Sequence, residues 1–330
     1  MLMALLLIIL IVLSLAFDFL NGFHDSANIV ATIVSSRAMS ARAALILATV
    51  AEFCGPFIVG IAVAQTIGGG IANPEALTIT VVLAAMASAI IWNIGTWVLG
   101  IPSSSSHALI GGIIGAVLIS AGPAKLQAAG IIKVMVVLFT SPLIGFIAGF
   151  FVTKSLFFAT RNATPKINYV FKRAQIFSSA FLAISHGGND AQKTMGVITM
   201  GLIMYGKWQG FASIPPWVMI ACSVAMALGI SFGGFRIMKT MGFKIFKVRP
   251  VHGFAVQLSS SLVILAAALV GGPVSTTHVV SSSVFGSGSA DRVSKVHWSL
   301  VREILKAWVI TLPACALLGA GIHFLIRNLK

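Results

Sequence analysis

The stretches NGFHDSAN, residues 21–28, and HGGNDAQK, residues 186–193, decide the fold of this chain. Each lies inside an apolar run long enough to lie within a membrane, and each carries an aspartate, Asp25 or Asp190. A charge at the bilayer centre costs about 2.5–3.5 kcal/mol on insertion scales. Such a carboxylate either lies at a helix end near the headgroups or has a function. We expect that both stretches break their helices at mid-membrane and hold ions or substrate.

The composition is that of a helical membrane protein. Of the 330 residues, 58% are hydrophobic and 9% are charged, and the mean hydropathy is +1.02. The apolar runs are continuous and about 20 residues long, as membrane-spanning helices require, whereas the strands of a membrane β-barrel are shorter and alternate. The net charge of +15 comes from basic residues dispersed among loops. This pattern indicates membrane topology and not nucleic-acid binding.

The chain is built from two related halves. The residues Pro102, Ser105, Ser106, His107, Gly115 and Pro142 recur 171 positions later as Pro273, Thr276, Thr277, His278, Gly286 and Pro313, and Asp25 recurs 165 positions later as Asp190. Chance similarity of apolar helices does not reproduce such a set in register. We predict an all-α polytopic membrane protein with two repeats of about five membrane segments each. The repeats are residues 1–153 and 174–330, and a cytoplasmic basic linker, residues 154–173, joins them.

The basic residues predict the orientation in the membrane. If each repeat crosses five times, 14 basic residues lie in loops on one side and 4 on the other. The basic side is then cytoplasmic, and both termini lie outside the cytoplasmic membrane. Because five is odd, the two repeats are inverted relative to one another. This topology requires a net crossing after Pro102 and after Pro273, with a broken helix allowed there.

Hydroxyl residues follow both prolines and suggest an anion site. The residues are Ser104, Ser105 and Ser106 in the first repeat and Ser275, Thr276 and Thr277 in the second. Their simplest role is to cap a helix that begins after the proline. Two helix N-termini brought together at mid-membrane would also offer N–H groups, hydroxyls and positive dipole ends to a tetrahedral oxyanion.

The acidic motifs suggest a cation site beside the anion. Ionised carboxylates repel an anion. Asp25 and Asp190 can therefore lie beside an anion site if cations or protons bind them. The candidate coupling-ion residues are Asn21, Asp25, Asn28, Asn189, Asp190 and Glu52. Glu52 has the alternative role of a helix–helix hydrogen bond.

Lys193 stands where the first motif has Asn28. It either neutralises Asp190 as a salt bridge or takes the place of a bound cation. Four histidines, His24, His107, His186 and His278, lie in or beside the motifs without metal-site spacing, so we predict no metal beyond Na⁺ and no cofactor. The absence of a Walker A motif or a catalytic triad spacing argues against an ATP-driven pump or an enzyme.

These motifs together resemble the inorganic phosphate transporter (PiT) family over nearly the whole chain. The resemblance rests on DSAN at 25–28, GNDAQKTMG at 188–196, residues 236–242, HGFA at 252–255 and PVSTTH at 273–278. The first motif departs from the family, because His24 stands where an asparagine is usual. The resemblance implies uptake of inorganic phosphate with H⁺ or Na⁺, in some members as a neutral metal–phosphate complex, and some relatives carry sulfate.

From the residues and the resemblance we predict a phosphate symporter that works by alternating access. Phosphate would bind the hydroxyls of the two proline motifs with help from Gln192. A sulfate symporter of the same fold, an anion channel and a phosphate sensor are the alternatives. The partners are phosphate, Na⁺ or H⁺ and the lipid bilayer, without nucleic acid. The sequence does not determine the oligomeric state, and a homo-oligomer is compatible with it.

Overall fold

The computed structural model describes residues 2–328, which are almost entirely helical. The helices are α1 (Leu2–Ser35), α2 (Ala41–Val59), α3 (Ala62–Gly69), α4 (Ile79–Leu99), α5 (Ser105–Ala121), α6 (Ala128–Ala159), α7 (Ile167–Met204), α8 (Pro216–Phe232), α9 (Phe235–Lys239), α10 (Pro250–Leu269), α11 (Thr276–Asp291) and α12 (Trp298–Asn328). A π-helical turn, Thr240–Lys244, extends α9. The second half therefore repeats the element order of the first, with α7–α12 following the pattern of α1–α6.

Six helices within the described range are long and apolar enough to cross a membrane, namely α1, α2, α4, α6, α10 and α12. Helix α8 and the segment after it form a seventh candidate, bent by 57°. The protein is thus a multi-pass membrane protein. Helices α5 and α11 have 17 and 16 residues, so they are about 25 Å long and shorter than the ~30 Å hydrocarbon core. Five crossings per repeat therefore stay a prediction.

Helices α1 and α7 continue through both acidic motifs, so the breaks predicted there are wrong. The glycines of the motifs allow close helix packing and do not end the helices. A Cβ on Gly22 would lie 2.2 Å from the carbonyl oxygen of Met226 in α8, and one on Gly187 would lie 2.4 Å from that of Glu52 in α2. The backbone bends elsewhere, at Gly60 between α2 and α3 and at Gly233 between α8 and α9. Both of these glycines have positive φ, 101° and 71°.

The first helices of the two halves run antiparallel through the centre of the molecule. The contacting pairs between α1 and α7 are Leu10 with Gly201, Asp18 with Thr194, Asn21 with Asp190 and Asp25 with His186, and Ser36, just after α1, contacts Gln175. The residue numbers rise along α1 as they fall along α7. Helices α1 and α7 therefore point in opposite directions.

Each half also packs its helices against the other half. Helix α6 packs on α11, and α12 packs on α5. Small residues allow the close approach at both contacts. A Cβ on Gly115 would lie 1.9 Å from the carbonyl oxygen of Ala316, and one on the equivalent Gly286 would lie 2.1 Å from that of Phe146. The two halves thus bury equivalent surfaces in one another.

Two glycines of α12 give a matched test of this packing. A Cβ on Gly319 would lie 2.5 Å from the carbonyl oxygen of Gly112 in α5, whereas one on Gly321 would meet open space. We expect Gly319→Ala to lower the thermal unfolding midpoint in detergent, because overpacking costs about 1–3 kcal/mol. Gly321→Ala should leave the midpoint unchanged or raise it, since alanine favours helix by about 1 kcal/mol. Equal losses in both variants would contradict this account.

Helices α4 and α5 form a hairpin, and the segment before α4 hydrogen-bonds to the segment after α5. The backbone N–H of Asn73 donates to the carbonyl of Lys125 at 2.9 Å, and that of Gln127 donates to Ile71 at 3.0 Å. Helices α10 and α11 form the equivalent hairpin, closed by the ion pair of Arg249 with Asp291 at 3.1 Å. Helices α6 and α7 extend into the predicted linker, so only residues 160–166 lie between them.

Candidate functional site

A serine caps each hairpin tip at the start of its second helix. The hydroxyl oxygen of Ser104 accepts the backbone N–H of His107 at 3.1 Å, and that of Ser275 accepts the N–H of His278 at 3.3 Å. Two of the six hydroxyl residues predicted for the anion site therefore have the simpler capping role in this structure. A substrate role for them stays a prediction.

The two hairpin tips meet inside the protein. The Ser106 hydroxyl in α5 donates to the carbonyl of Val274, just before α11, at 2.9 Å. The rings of His107 and His278 lie 4.6 Å apart between centroids. The four remaining hydroxyl residues occupy the buried first turns of α5 and α11, namely Ser105, Ser106, Thr276 and Thr277. Two helix N-termini with free N–H groups and hydroxyls can bind an anion here.

The acidic motifs of α1 and α7 lie against the tip of the second hairpin. The Thr277 hydroxyl donates to Asp25 Oδ1 at 2.9 Å. The Thr276 hydroxyl lies 3.2 Å from Asp190 Oδ2 and 3.4 Å from Asp25 Oδ2. All four side chains are buried. The structure thus brings the predicted cation and anion residues into direct contact.

His186 joins three acidic residues, a role that the sequence did not predict. Its Nδ1 lies 2.6 Å from Glu52 Oε1, and its Nε2 lies 3.4 Å from Asp25 Oδ2 and 3.9 Å from Asp190 Oδ2. His24 lies on the other side of Asp25, with Nδ1 2.9 Å from Oδ1. One ligand atom each from Asp25, His186 and Asp190 lies within 4.8 Å of the others, so this cluster could hold a cation.

Three asparagines of the motifs use the nitrogen of the side-chain amide for a hydrogen bond but not the oxygen. The side-chain amide of Asn21 donates to Asp190 at 3.0 Å, that of Asn28 to Thr277 at 3.1 Å and that of Asn189 to the carbonyl of Gly272 at 3.1 Å. Their buried Oδ1 atoms, and Glu52 Oε2, accept no hydrogen bond from the part of the chain that the structure describes. An unsatisfied buried group costs about 1–3 kcal/mol, and such oxygens are suitable ligands for a hard cation.

Gln192 makes its hydrogen bonds to backbone groups of α3 and α7 and not to the hydroxyl residues with which it was predicted to act. Its Oε1 accepts the backbone N–H groups of Val63 at 2.9 Å and Ala64 at 3.3 Å, and its Nε2 donates to the carbonyl of Gly188. Its side chain therefore caps the start of α3, where free N–H groups need acceptors.

Asp18 is a further buried carboxylate of the region. It accepts a hydrogen bond from the Thr194 hydroxyl, and its Oδ2 has no partner among the residues described. Asp18 is not among the site residues predicted from the sequence. Its position seven residues before Asp25 was the available signal, because that spacing lies on one helix face.

Known proteins are similar to this chain over nearly its whole length. A family model for the phosphate transporter family matches residues 21–319. A relative from Bacillus subtilis (strain 168), named "Probable low-affinity inorganic phosphate transporter", is 46% identical over 97% of both chains. A relative of the same name from Rhizobium meliloti (strain 1021) is 44% identical over 97% of this chain and 96% of its own.

A solved structure described as "The sodium-dependent phosphate transporter" has the same fold. Its TM-score is 0.88 at 25% sequence identity, covering 98% of this chain and 100% of that one. The resemblance predicted from the motifs is thereby confirmed. The match of the family model to nine-tenths of the chain shows that this protein belongs to the phosphate transporter family.

Proposed function

We propose that this protein carries inorganic phosphate across the cytoplasmic membrane together with Na⁺ or H⁺, by alternating access. One observation carries the proposal. The first turns of α5 and α11 meet, which suits an oxyanion, and the first turn of α11 hydrogen-bonds to the carboxylates of Asp25 and Asp190, which suit cations. A site for an anion alone or for a cation alone does not need both the helix N-termini and the carboxylates.

The contacts between hydroxyls and carboxylates provide a coupling mechanism. In this structure, Thr276 and Thr277 donate hydrogen bonds to the carboxylates of Asp25 and Asp190. A cation at the carboxylates replaces these hydrogen bonds and frees the hydroxyls to donate to phosphate, together with Ser105 and Ser106. Cations and phosphate then bind with positive cooperativity, because each makes the site fit the other.

Separate observations favour each of the two candidate coupling ions, Na⁺ and H⁺. The sodium dependence by which the similar solved transporter is named, and the unpaired asparagine oxygens of this chain, favour Na⁺. The contact of His186 with Glu52 and Asp25 favours H⁺, since an imidazole can carry a proton between two carboxylates. Na⁺ is our first choice, because the three unpaired oxygens otherwise have no partner in the described chain.

The movement we propose is a rocking of one repeat against the other. The antiparallel course of α1 and α7 supports inverted repeats, as described for other secondary transporters. Cations bound beside phosphate reduce the charge of the loaded carrier and so the cost of enclosing the anion. Both termini would lie outside the cell, following the distribution of basic residues.

The test is uptake of radiolabelled phosphate into proteoliposomes under an imposed Na⁺ or H⁺ gradient, with sulfate as competitor. We expect accumulation above the external concentration under one gradient and little inhibition by equimolar sulfate. Uptake that only equilibrates would instead indicate an anion channel. Uptake abolished by equimolar sulfate would indicate a sulfate carrier of the same fold.

A further inference from the structure

The two acidic motifs differ at one equivalent position. Three residues after Asp25 the first motif has Asn28, and three residues after Asp190 the second has Lys193. Because α1 and α7 are continuous helices, each of these residues lies on the same face as its aspartate. The second repeat therefore places an ammonium group where the first places an amide.

Lys193 is paired closely with Asp190. Its Nζ lies 2.7 Å from Asp190 Oδ1, and the side chains of both residues are 0% exposed. The other carboxylate oxygen, Oδ2, is already engaged by Asn21 and Thr276. The ammonium group thus occupies the remaining coordination position of Asp190.

The first repeat leaves the corresponding position open. The amide of Asn28 donates to Thr277 and not to Asp25, and its Oδ1 is among the buried oxygens without a partner in the described chain. This oxygen is a cation ligand, whereas an ammonium group in its place is itself a cation. The two repeats thus offer a cation ligand, Asn28 Oδ1, at one position and a tethered cation, the Lys193 ammonium, at the other.

We propose that the ammonium of Lys193 is a tethered counter-ion that takes the place of one coupling cation. The inference rests on the proposed symport function. The carrier then moves one cation fewer per phosphate than it would with asparagine at position 193. A covalently attached charge neutralises Asp190 in every state of the cycle but is not itself transported.

The test measures the net charge moved with each phosphate. Proteoliposomes are prepared with a fixed ratio of the phosphate concentrations inside and outside, and with the same Na⁺ concentration and the same pH on both sides. The membrane potential that stops net flux of labelled phosphate, set with potassium and valinomycin, gives the charge per phosphate. We expect this charge to be one unit larger for Lys193→Asn than for the wild type, whichever cation fills the vacated position.

Two further variants separate charge from shape. Lys193→Arg keeps the positive charge and should keep the wild-type charge per phosphate. Lys193→Gln removes the charge, supplies an amide oxygen and should behave like Lys193→Asn, with uptake that needs more Na⁺. Unchanged charge per phosphate in an active Lys193→Asn or Lys193→Gln protein overturns the inference. So does loss of uptake in both at saturating Na⁺ and at low pH, because a vacated cation position must be refillable.

The wild-type protein in the same vesicles distinguishes the two proposals. If the wild type does not accumulate phosphate under any cation gradient, the proposed symport fails and the inference fails with it. If the wild type accumulates phosphate and Lys193→Asn moves the same charge, only the role of Lys193 is wrong.

Discussion

Asp25→Asn should abolish concentrative phosphate uptake and leave the protein folded. Asp25 lies at the centre of the site, since it accepts from Thr277 and Thr276 and lies beside His24 and His186. Asparagine has nearly the same size and can still accept hydrogen bonds. It lacks the charge that would hold a cation beside phosphate, and without that cation a gradient has no means of driving uptake.

The expected effect is large because the site is buried. Removing one partner from a buried charge pair typically costs about 3–5 kcal/mol. If this free energy is lost from cation binding, the affinity for the cation decreases by more than about a hundredfold. Passive exchange of phosphate is expected to suffer less than accumulation, since exchange does not require a cation gradient to be used.

Uptake into proteoliposomes at a fixed Na⁺ or H⁺ gradient measures this effect. Glu75→Gln is the matched control, because Glu75 is an acidic residue outside the site, with its side chain 81% exposed and paired with Lys125 at 2.9 Å. An exposed pair of this kind contributes about 0–1 kcal/mol, so the control should accumulate phosphate like the wild type. Wild-type accumulation by Asp25→Asn would remove Asp25 from the coupling mechanism.

The sequence predicted the parts of the site that depend on short-range patterns. A proline followed by hydroxyl residues marks a helix start, and α5 and α11 begin within three residues of Pro102 and Pro273. The recurrence of these residues at a constant spacing indicated that the two starts are equivalent. It could not show that they meet, because the bond from Ser106 to Val274 spans 168 positions.

The prediction of helix breaks was wrong because glycine has two possible roles: it can interrupt a helix, or it can allow two helices to pack closely. Gly22 and Gly187 beside polar residues suggested helix breaks, since glycine lowers helix stability. In the folded protein their missing side chains let α8 and α2 approach closely, and that packing favours a continuous helix. Local propensity is weaker than such tertiary contacts, so no window of sequence around either glycine could have distinguished the two outcomes.

The partners of buried polar groups were also beyond prediction. Glu52 and His186 are 134 positions apart, and Gln192 caps a helix that starts 130 positions before it. The sequence assigned Glu52 to cation binding and Gln192 to phosphate binding, and it assigned His186 to neither. Which atom it meets depends on how helices cross, and a single sequence does not give that geometry.

Thr277 connects the cation residues to the proposed phosphate position, so its hydroxyl should be needed for tight phosphate binding. It donates to Asp25 at 2.9 Å and accepts from the amide of Asn28 at 3.1 Å. Valine has the same shape without the hydroxyl. A hydrogen bond to a charged group contributes about 1.5–3 kcal/mol. Thr277→Val should therefore raise the phosphate concentration for half-maximal uptake about 10-fold to 150-fold.

The serine variant separates the hydroxyl from the packing of the methyl group. Thr277→Ser keeps the hydroxyl and should stay within a few-fold of the wild type, whereas Thr277→Val should not recover at saturating Na⁺. Thermal unfolding of both purified variants shows whether the loss concerns binding or stability, because Thr277→Val also leaves the buried Asn28 amide without its acceptor. Equal phosphate affinity in the valine and serine variants would mean that phosphate does not contact this hydroxyl. The anion would then have to bind through the first turn of α5, at Ser105 and Ser106, and the two hairpin tips would have unequal roles.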